Sequence, residues 1–187
     1  MRIHEAQREM RMVYLGGWLG PVVSGVIWLV SASLGTWSSR TNAVLALVVG
    51  GMFIFPIGLV ILRALGQRAS VRRENPLTAL AMQSAFTVPL AIPLILAATR
   101  WKPEWFYAGF LIVVGAHYLM FVTLYGQRAY YVVAAAMLGA GFLLPWLLPG
   151  SFAAGGWIGG ALLLLSGGWL AVLHAREARL AAGPTYS

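Results

Sequence analysis

Cysteine and aspartate are both missing from this 187-residue chain, and its acids stop at five glutamates, Glu5, Glu9, Glu74, Glu104 and Glu177. Without cysteine there is no disulfide, no thiol nucleophile and no zinc-thiolate site. Every glutamate lies outside or at the margin of an apolar segment, which leaves no intramembrane carboxylate for ion coupling and no acid pair for glycosyl chemistry. Also absent are the Gly-x-Ser-x-Gly elbow, the His-Glu-x-x-His helix and the Walker loop. Of the three histidines, His4 and His174 fall at the margins, where solvation is expected, and His117 alone is deep. One deep imidazole builds neither a bis-histidine haem site nor a metal cluster. The sequence therefore offers no catalytic residue, no metal and no cofactor, and an enzyme acting on lipid with His117 as base is the weakest reading.

What the chain has in quantity is apolar surface. It is 60% hydrophobic with a mean hydropathy of +0.79 and only 10% charged residues, whereas soluble domains carry roughly 45 to 50% apolar and about 25% charged residues. A water-soluble fold of this size cannot hide that much apolar surface. A spanning helix needs roughly 20 apolar residues to cross about 30 Å of hydrocarbon, and six runs meet this length: 14–34, 43–65, 78–98, 105–125, 129–148 and 152–174. They lack the alternation of a membrane barrel. The expected fold is all-α, one integral membrane domain over 1–187 built as a polytopic bundle of six spans. The first run is too long for the core of a cleavable signal and is expected to be retained. Little polar sequence separates the last two runs, so a re-entrant pair is an alternative there.

Orientation follows from the basic residues. Arg2, Arg8, Arg11, Arg63, Arg68, Arg72, Arg73, Arg128, Arg176 and Arg179 fall on one side of the alternating loops; Arg40, Arg100 and Lys102 fall on the other. The positive-inside rule puts both termini in the cytoplasm, with 1–12 as a charged surface segment and 175–187 as a tail. This topology accounts for the net charge of +8 without nucleic acid as a partner. Trp37, Trp101, Trp105, Trp146 and Trp157 mark the expected outer belt; Trp18, Trp169, Tyr125, Tyr130 and Tyr131 mark the inner one.

Close helix contacts are expected at small residues: Gly16, Gly20 and Ser24 in the first span, Ala134 to Ala136 with Gly139 and Gly141 in the fifth, and Gly155, Gly156, Gly159 and Gly160 in the sixth. The same faces suit a homo-oligomer. Pro56, Pro89 and Pro93 predict kinks, each freeing an upstream carbonyl. Gly66-Gln67-Arg68-Ala69 is echoed by Gly126-Gln127-Arg128-Ala129, a hint of repeated hairpins.

His117, just past the middle of span four, is the only intramembrane side chain whose ordinary pKa of about 6.5 lies near neutrality. Tyr107, Tyr118 and Tyr125 share a stripe beside it, and Gln83 and Thr87 lie one turn apart in span three, with Ser84 between them. Together they suggest a polar pocket near the midplane, with His117, Tyr118, Gln83, Thr87 and Tyr125 as ligand-binding candidates. A purely structural role for His117, bonding a neighbouring helix, is the competing reading.

Phe55-Pro56-Ile57-Gly58-Leu59, Asn75-Pro76-Leu77 and Gly115-Ala116-His117-Tyr118-Leu119-Met120-Phe121, followed by Leu124-Tyr125, resemble a family of bacterial membrane proteins of this length defined only as a domain of unknown function. The resemblance runs from span two to span six. It implies a fold and a candidate site at His117 but no activity; the family pattern implies proline after Leu119, where this chain has Met120. The expected role is binding or transport of a small or lipophilic molecule in the cell (inner) membrane. A non-catalytic adaptor or scaffold, docking a partner or anionic lipid through the arginines of 63–73, is the rival. The topology predicts that, in this cysteine-free chain, cysteines introduced at Arg2 and Ser187 react with an impermeant maleimide only after lysis, while one at Ser38 reacts in intact cells; reaction of only one terminus in intact cells would remove the even number of spans.

Overall fold

The computed structural model describes residues 1–67 and 70–182, and these form seven α-helices. They are α1 (Ile3–Val13), α2 (Leu19–Trp37), α3 (Arg40–Ala64), α4 (Leu77–Trp101), α5 (Trp105–Tyr125), α6 (Ala129–Leu147) and α7 (Ala154–Ala182). Six of them, α2 with its preceding 3-10 turn Leu15–Gly17 and then α3 to α7, are long and apolar enough to cross a membrane. The last two are separate full-length helices rather than a re-entrant pair. Helix α7 also continues through 175–182, past the expected start of the tail, and 183–187 lie outside the described residues.

The helix ends have local causes. The Glu5 carboxylate accepts from the Arg2 N–H at 3.0 Å at the start of α1, and the Ser39 hydroxyl accepts from Asn42 N–H at 3.1 Å to cap α3. Gly66 and Gly126 both adopt left-handed backbone, at φ 74 and 64, where α3 and α5 end. The echo at 66–69 and 126–129 thus shares a helix-stopping glycine, while Arg68 and Ala69 lie outside the described residues. Between α1 and α2 the chain turns through Leu15, Gly16 and Gly17, all at positive φ. Gly16 is therefore a hinge residue, not part of a smooth helix face.

In space the spans follow the order α3, α2, α7, α6, α5, α4: α2 packs on both α3 and α7, α6 joins α7 to α5, and α4 closes the series on α5. Helix α2 is central, with 56% of its span buried, against 6% for α3 and 11% for α4. Consecutive in sequence, α3 and α4 stand at opposite ends of the series and do not pack closely on each other. Pro56, Pro89 and Pro93 sit within uninterrupted helices on exposed faces. They do not line a central pocket.

Lipid offers apolar side chains a solvent as good as the protein interior, so the contacts that hold such a bundle are those of close fit. Here they are aromatic rings laid on glycine. A Cβ at Gly159 would stand 2.2 Å from the Trp28 ring, and one at Gly155 or Gly156 would meet Tyr107 at 2.5 or 2.7 Å. Trp28, Tyr107, Phe106, Phe110 and Phe152 interlock with centroids 4.9–6.4 Å apart. Ser31 ties the knot, donating to the Ala43 carbonyl and accepting from the Tyr107 hydroxyl, both at 2.7 Å. On α2 the glycines in close contact are Gly25, against Leu164 and the Gly160 carbonyl, and Gly35, against Phe152 and Ala43, while Gly20 faces open space. Gly159→Ala is expected to lower stability by about 1–3 kcal/mol through overpacking. Gly168→Ala, with nothing within 4 Å of its Cβ position, is expected to change little, and equal thermal unfolding of the two variants in detergent would refute this account of the core.

Candidate functional site

Helix α5 presents two faces around Gly115-Ala116-His117-Tyr118. Gly115 lets α6 approach, since a Cβ there would lie 2.9 Å from the Leu138 backbone nitrogen. His117 turns toward α4, where its Nδ1 lies 3.2 Å from the Thr87 hydroxyl oxygen. That hydroxyl also lies 2.7 Å from the Ser84 carbonyl, which can only accept. The single hydroxyl proton goes to Ser84, so Nδ1–H is the donor to Thr87 and Nε2 keeps its lone pair. This assigns the tautomer from the bonding pattern.

Of the predicted site residues, the structure joins His117 and Thr87, with Tyr118 beside them at a ring separation of 5.8 Å. Tyr118 belongs to a buried aromatic stack with Phe121, Tyr125 and Tyr130, in which Tyr130 is parallel to both other tyrosines. Tyr125 lies two turns away, at the end of α5. Tyr130 donates to the Gly16 carbonyl at 2.7 Å, so Tyr125 and Tyr130 are core residues rather than members of an interfacial belt; the exposed Tyr131 keeps that position. Gln83 points away from the group on an exposed face. Its neighbour Ser84 is the buried one, because the α4 stripe facing α5 passes through Ser84 and Thr87. Tyr107 is in the Trp28 cluster at the other end of α5. Among the described residues no group of histidines and acids could hold a metal.

Two clefts lie away from the aromatic stack. One, of about 440 Å³, runs between α4, α5 and α6 at the tryptophan-rich end, and includes Leu94, Ile95, Gly109, Val113, Phe142 and Trp146. Lys102 stands at this end with its ammonium 5.6 Å from the Trp105 ring centre. The other, of about 300 Å³, lies at the opposite, basic end between the α5–α6 turn and α7.

The basic end also holds the residues that the sequence did not single out. Helix α1 is strapped across it. Gln7 donates to the Thr123 carbonyl at 2.8 Å and Arg11 to the Tyr125 carbonyl, so two carbonyls left over at the end of α5 are capped from another helix. Gly126 is at φ 64, so this turn favours glycine for its backbone, and a Cβ there, 2.6 Å from the Gln7 amide oxygen, would displace the Gln7 cap. Arg11 also pairs with Glu177 at 3.7 Å. Glu9 is buried at 7% exposure, accepting from the Arg72 N–H and the Asn75 amide at 2.9 Å each, with the Arg72 guanidinium at 3.4 Å. Asn75 donates to the Ala6 carbonyl at 3.2 Å and accepts from Leu77 N–H at 2.9 Å, starting α4 as it clasps α1. His174 is half-buried against Gly16, its Nδ1 shielded and without a protein partner. It is not the solvated histidine its position suggests. The signal for Glu9 was present in the sequence as an acid on the apolar side of an otherwise charged helix.

This architecture is that of a multi-pass helical membrane protein with an N-terminal strap. Residues 3–173 match the family of unknown function DUF7010, and the chain belongs to that family. The match begins at Ile3 and so takes in α1 and α2, upstream of the three motifs. No curated protein and no solved structure matches the chain.

The Arg72 N–H does most to hold the Glu9 carboxyl below its ordinary range; burial opposes it, and Asn75 and the Arg72 guanidinium add to the lowering. A lowered folded pKa means that the clasp contributes fully above the unfolded value, near 4.5, and is lost as pH falls through the lower folded value. A spin label on His4→Cys, an exposed site on α1, is expected to be immobile at pH 7 and mobile in acid. Glu9→Gln is expected to free α1 at pH 7, raising the mobile fraction roughly tenfold, about the effect of one charge-assisted hydrogen bond; a label immobile in both cases would refute the clasp.

Proposed function

We propose that the protein binds an amphipathic lipophile that enters from the bilayer into the cleft between α4, α5 and α6. The observation that carries this reading is the cleft itself: about 440 Å³ of apolar wall with a single ammonium, Lys102, at one end. Its volume falls in the range of about 300–1,000 Å³ usual for small-molecule sites. Exposed Leu94, Phe142 and Trp146 border it, so a ligand reaches it laterally and leaves its acyl-like body among them. Lys102 suits an anionic head at the tryptophan-rich interface, its charge shared with the Trp105 ring.

His117 and Thr87 lie on the same seam, deeper in the bundle. Thr87 is seven residues from Leu94 on α4, and His117 is four from Val113 on α5, so both fall on the helix stripes that form the cleft walls. Their hydrogen bond fixes the spacing of α4, a helix that packs mainly on α5. His117 thus supports the helix spacing beside the cleft. Binding, rather than coupled transport, agrees with the lack of an intramembrane acid. The ten-to-three division of basic residues supports a cell membrane setting with both termini cytoplasmic.

In nanodiscs, a fatty acid brominated on its chain is expected to quench tryptophan fluorescence through Trp105 and Trp146. Gly109→Leu, which fills the cleft, is expected to remove at least about half of that quenching, and a brominated chain with a trimethylammonium head is expected to bind more weakly because of Lys102. Equal quenching in the wild type and in Gly109→Leu would refute the site.

A further inference from the structure

The second cleft lies at the basic end, on the membrane side opposite the lipophile cleft, and nothing in the preceding reading uses it. Its α7 wall is one helix stripe, Leu173, Arg176, Glu177 and Leu180, at spacings of three, four and seven residues. Its other wall is the turn Gly126 to Ala129, where α6 begins without a side-chain cap. The positive end of the α6 dipole therefore adjoins the cleft. Arg128 and Arg176 reach it from the two walls, both exposed, and among the described residues neither forms an ion pair. Glu177 is the one acid present, already paired with Arg11 at 3.7 Å and facing the Gln127 amide nitrogen at 3.4 Å.

The cleft is thus walled by a helix N-terminus and two cations, unpaired among the described residues, and its one acid is already engaged. Leu173 lies three residues toward the bilayer from Arg176 on the same stripe, so the cationic pair stands next to an apolar wall. That arrangement is matched by the headgroup region of a phospholipid. We propose that this cleft binds an anionic phospholipid from the leaflet at the basic end. Arg128 and Arg176 take the phosphodiester, and Leu173 lines the start of the acyl chains. This site is independent of the lipophile cleft and stands whether or not that cleft is occupied.

The test is a titration of the purified full chain in neutral detergent with phosphatidylglycerol, phosphatidylethanolamine, phosphatidylcholine or inorganic phosphate, read as thermal stabilisation. Phosphatidylglycerol alone is expected to stabilise the protein at low lipid ratios. Arg128→Gln with Arg176→Gln is expected to weaken its apparent affinity about tenfold or more, consistent with loss of two charged phosphate contacts, while leaving the lipid-free melting point unchanged. Arg128→Lys with Arg176→Lys, which keeps the charge, is expected to retain most of the effect and guards against a folding defect in the glutamine pair. Equal stabilisation by phosphatidylethanolamine or phosphatidylcholine would overturn the headgroup assignment, equal stabilisation by phosphate would reduce the site to a free-anion site, and full response in the glutamine pair would remove it from this cleft.

Discussion

The bundle depends on how closely α2 and α5 approach α7, because in lipid the burial of one more leucine gains little over leaving it among acyl chains. Trp28 and Tyr107 lie directly on the backbone of Gly159, Gly155 and Gly156, and that contact decides which helices are central. Once α7 is covered by two aromatic rings, α2 and α5 are fixed around it, and Ser31 joins α2, α3 and α5 through two short hydrogen bonds. Of the remaining spans α6 packs on α5 and α7, and α3 and α4 are left to the periphery. Their apolar outer faces are surfaces for lipid rather than unfinished core, and the seam between α4 and α5 is where the bundle is loose enough to hold a cleft.

The two ends of the molecule differ in kind. At the tryptophan-rich end, Trp37, Trp101 and Trp146 are exposed and set the bundle in the interface. At the basic end, α1 folds back across the helix termini and supplies the bonds that the ends of α5 cannot make for themselves. The Asn75-Pro76-Leu77 motif acquires a reason here. Asparagine clasps α1 and starts α4, and proline stands where no N–H is required. The strap therefore couples α1 to α4, α5 and α7, three helices that the apolar core holds only in part.

How far the candidate site could be read from the sequence depends on the residue. His117 stood out because an imidazole is rare at that depth, and Thr87 because it recurs one turn from another polar residue in the facing span. Gln83 had the same spacing argument and falls on the wrong side, since one step of 100° separates it from Ser84, and only the packing partner tells which of the two faces inward. The tyrosine stripe of α5 was visible as a stripe, yet its residues divide between two clusters, because Tyr107 meets α2 and α7 while Tyr118 and Tyr125 meet Tyr130. Gln127 was invisible in this sense, and Glu9 showed only as an acid on the apolar side of α1: both lie at the margins, where a polar side chain is ordinarily solvated, and their burial follows from helices far away in the chain.

The sequence by itself determined that there are six helices long and apolar enough to span, and the gathering of basic residues at one end. These follow from the thickness of hydrocarbon and the cost of leaving backbone or charge unsatisfied inside it, which act on each segment separately. Tertiary structure alone decided which spans are central, that α1 is a strap and not a surface float, and that the clefts lie beside α4 and at the start of α6 rather than around the tyrosines. Those outcomes depend on which side chain meets which glycine across helices distant in sequence, and hydropathy, being an average over one segment, carries no record of them.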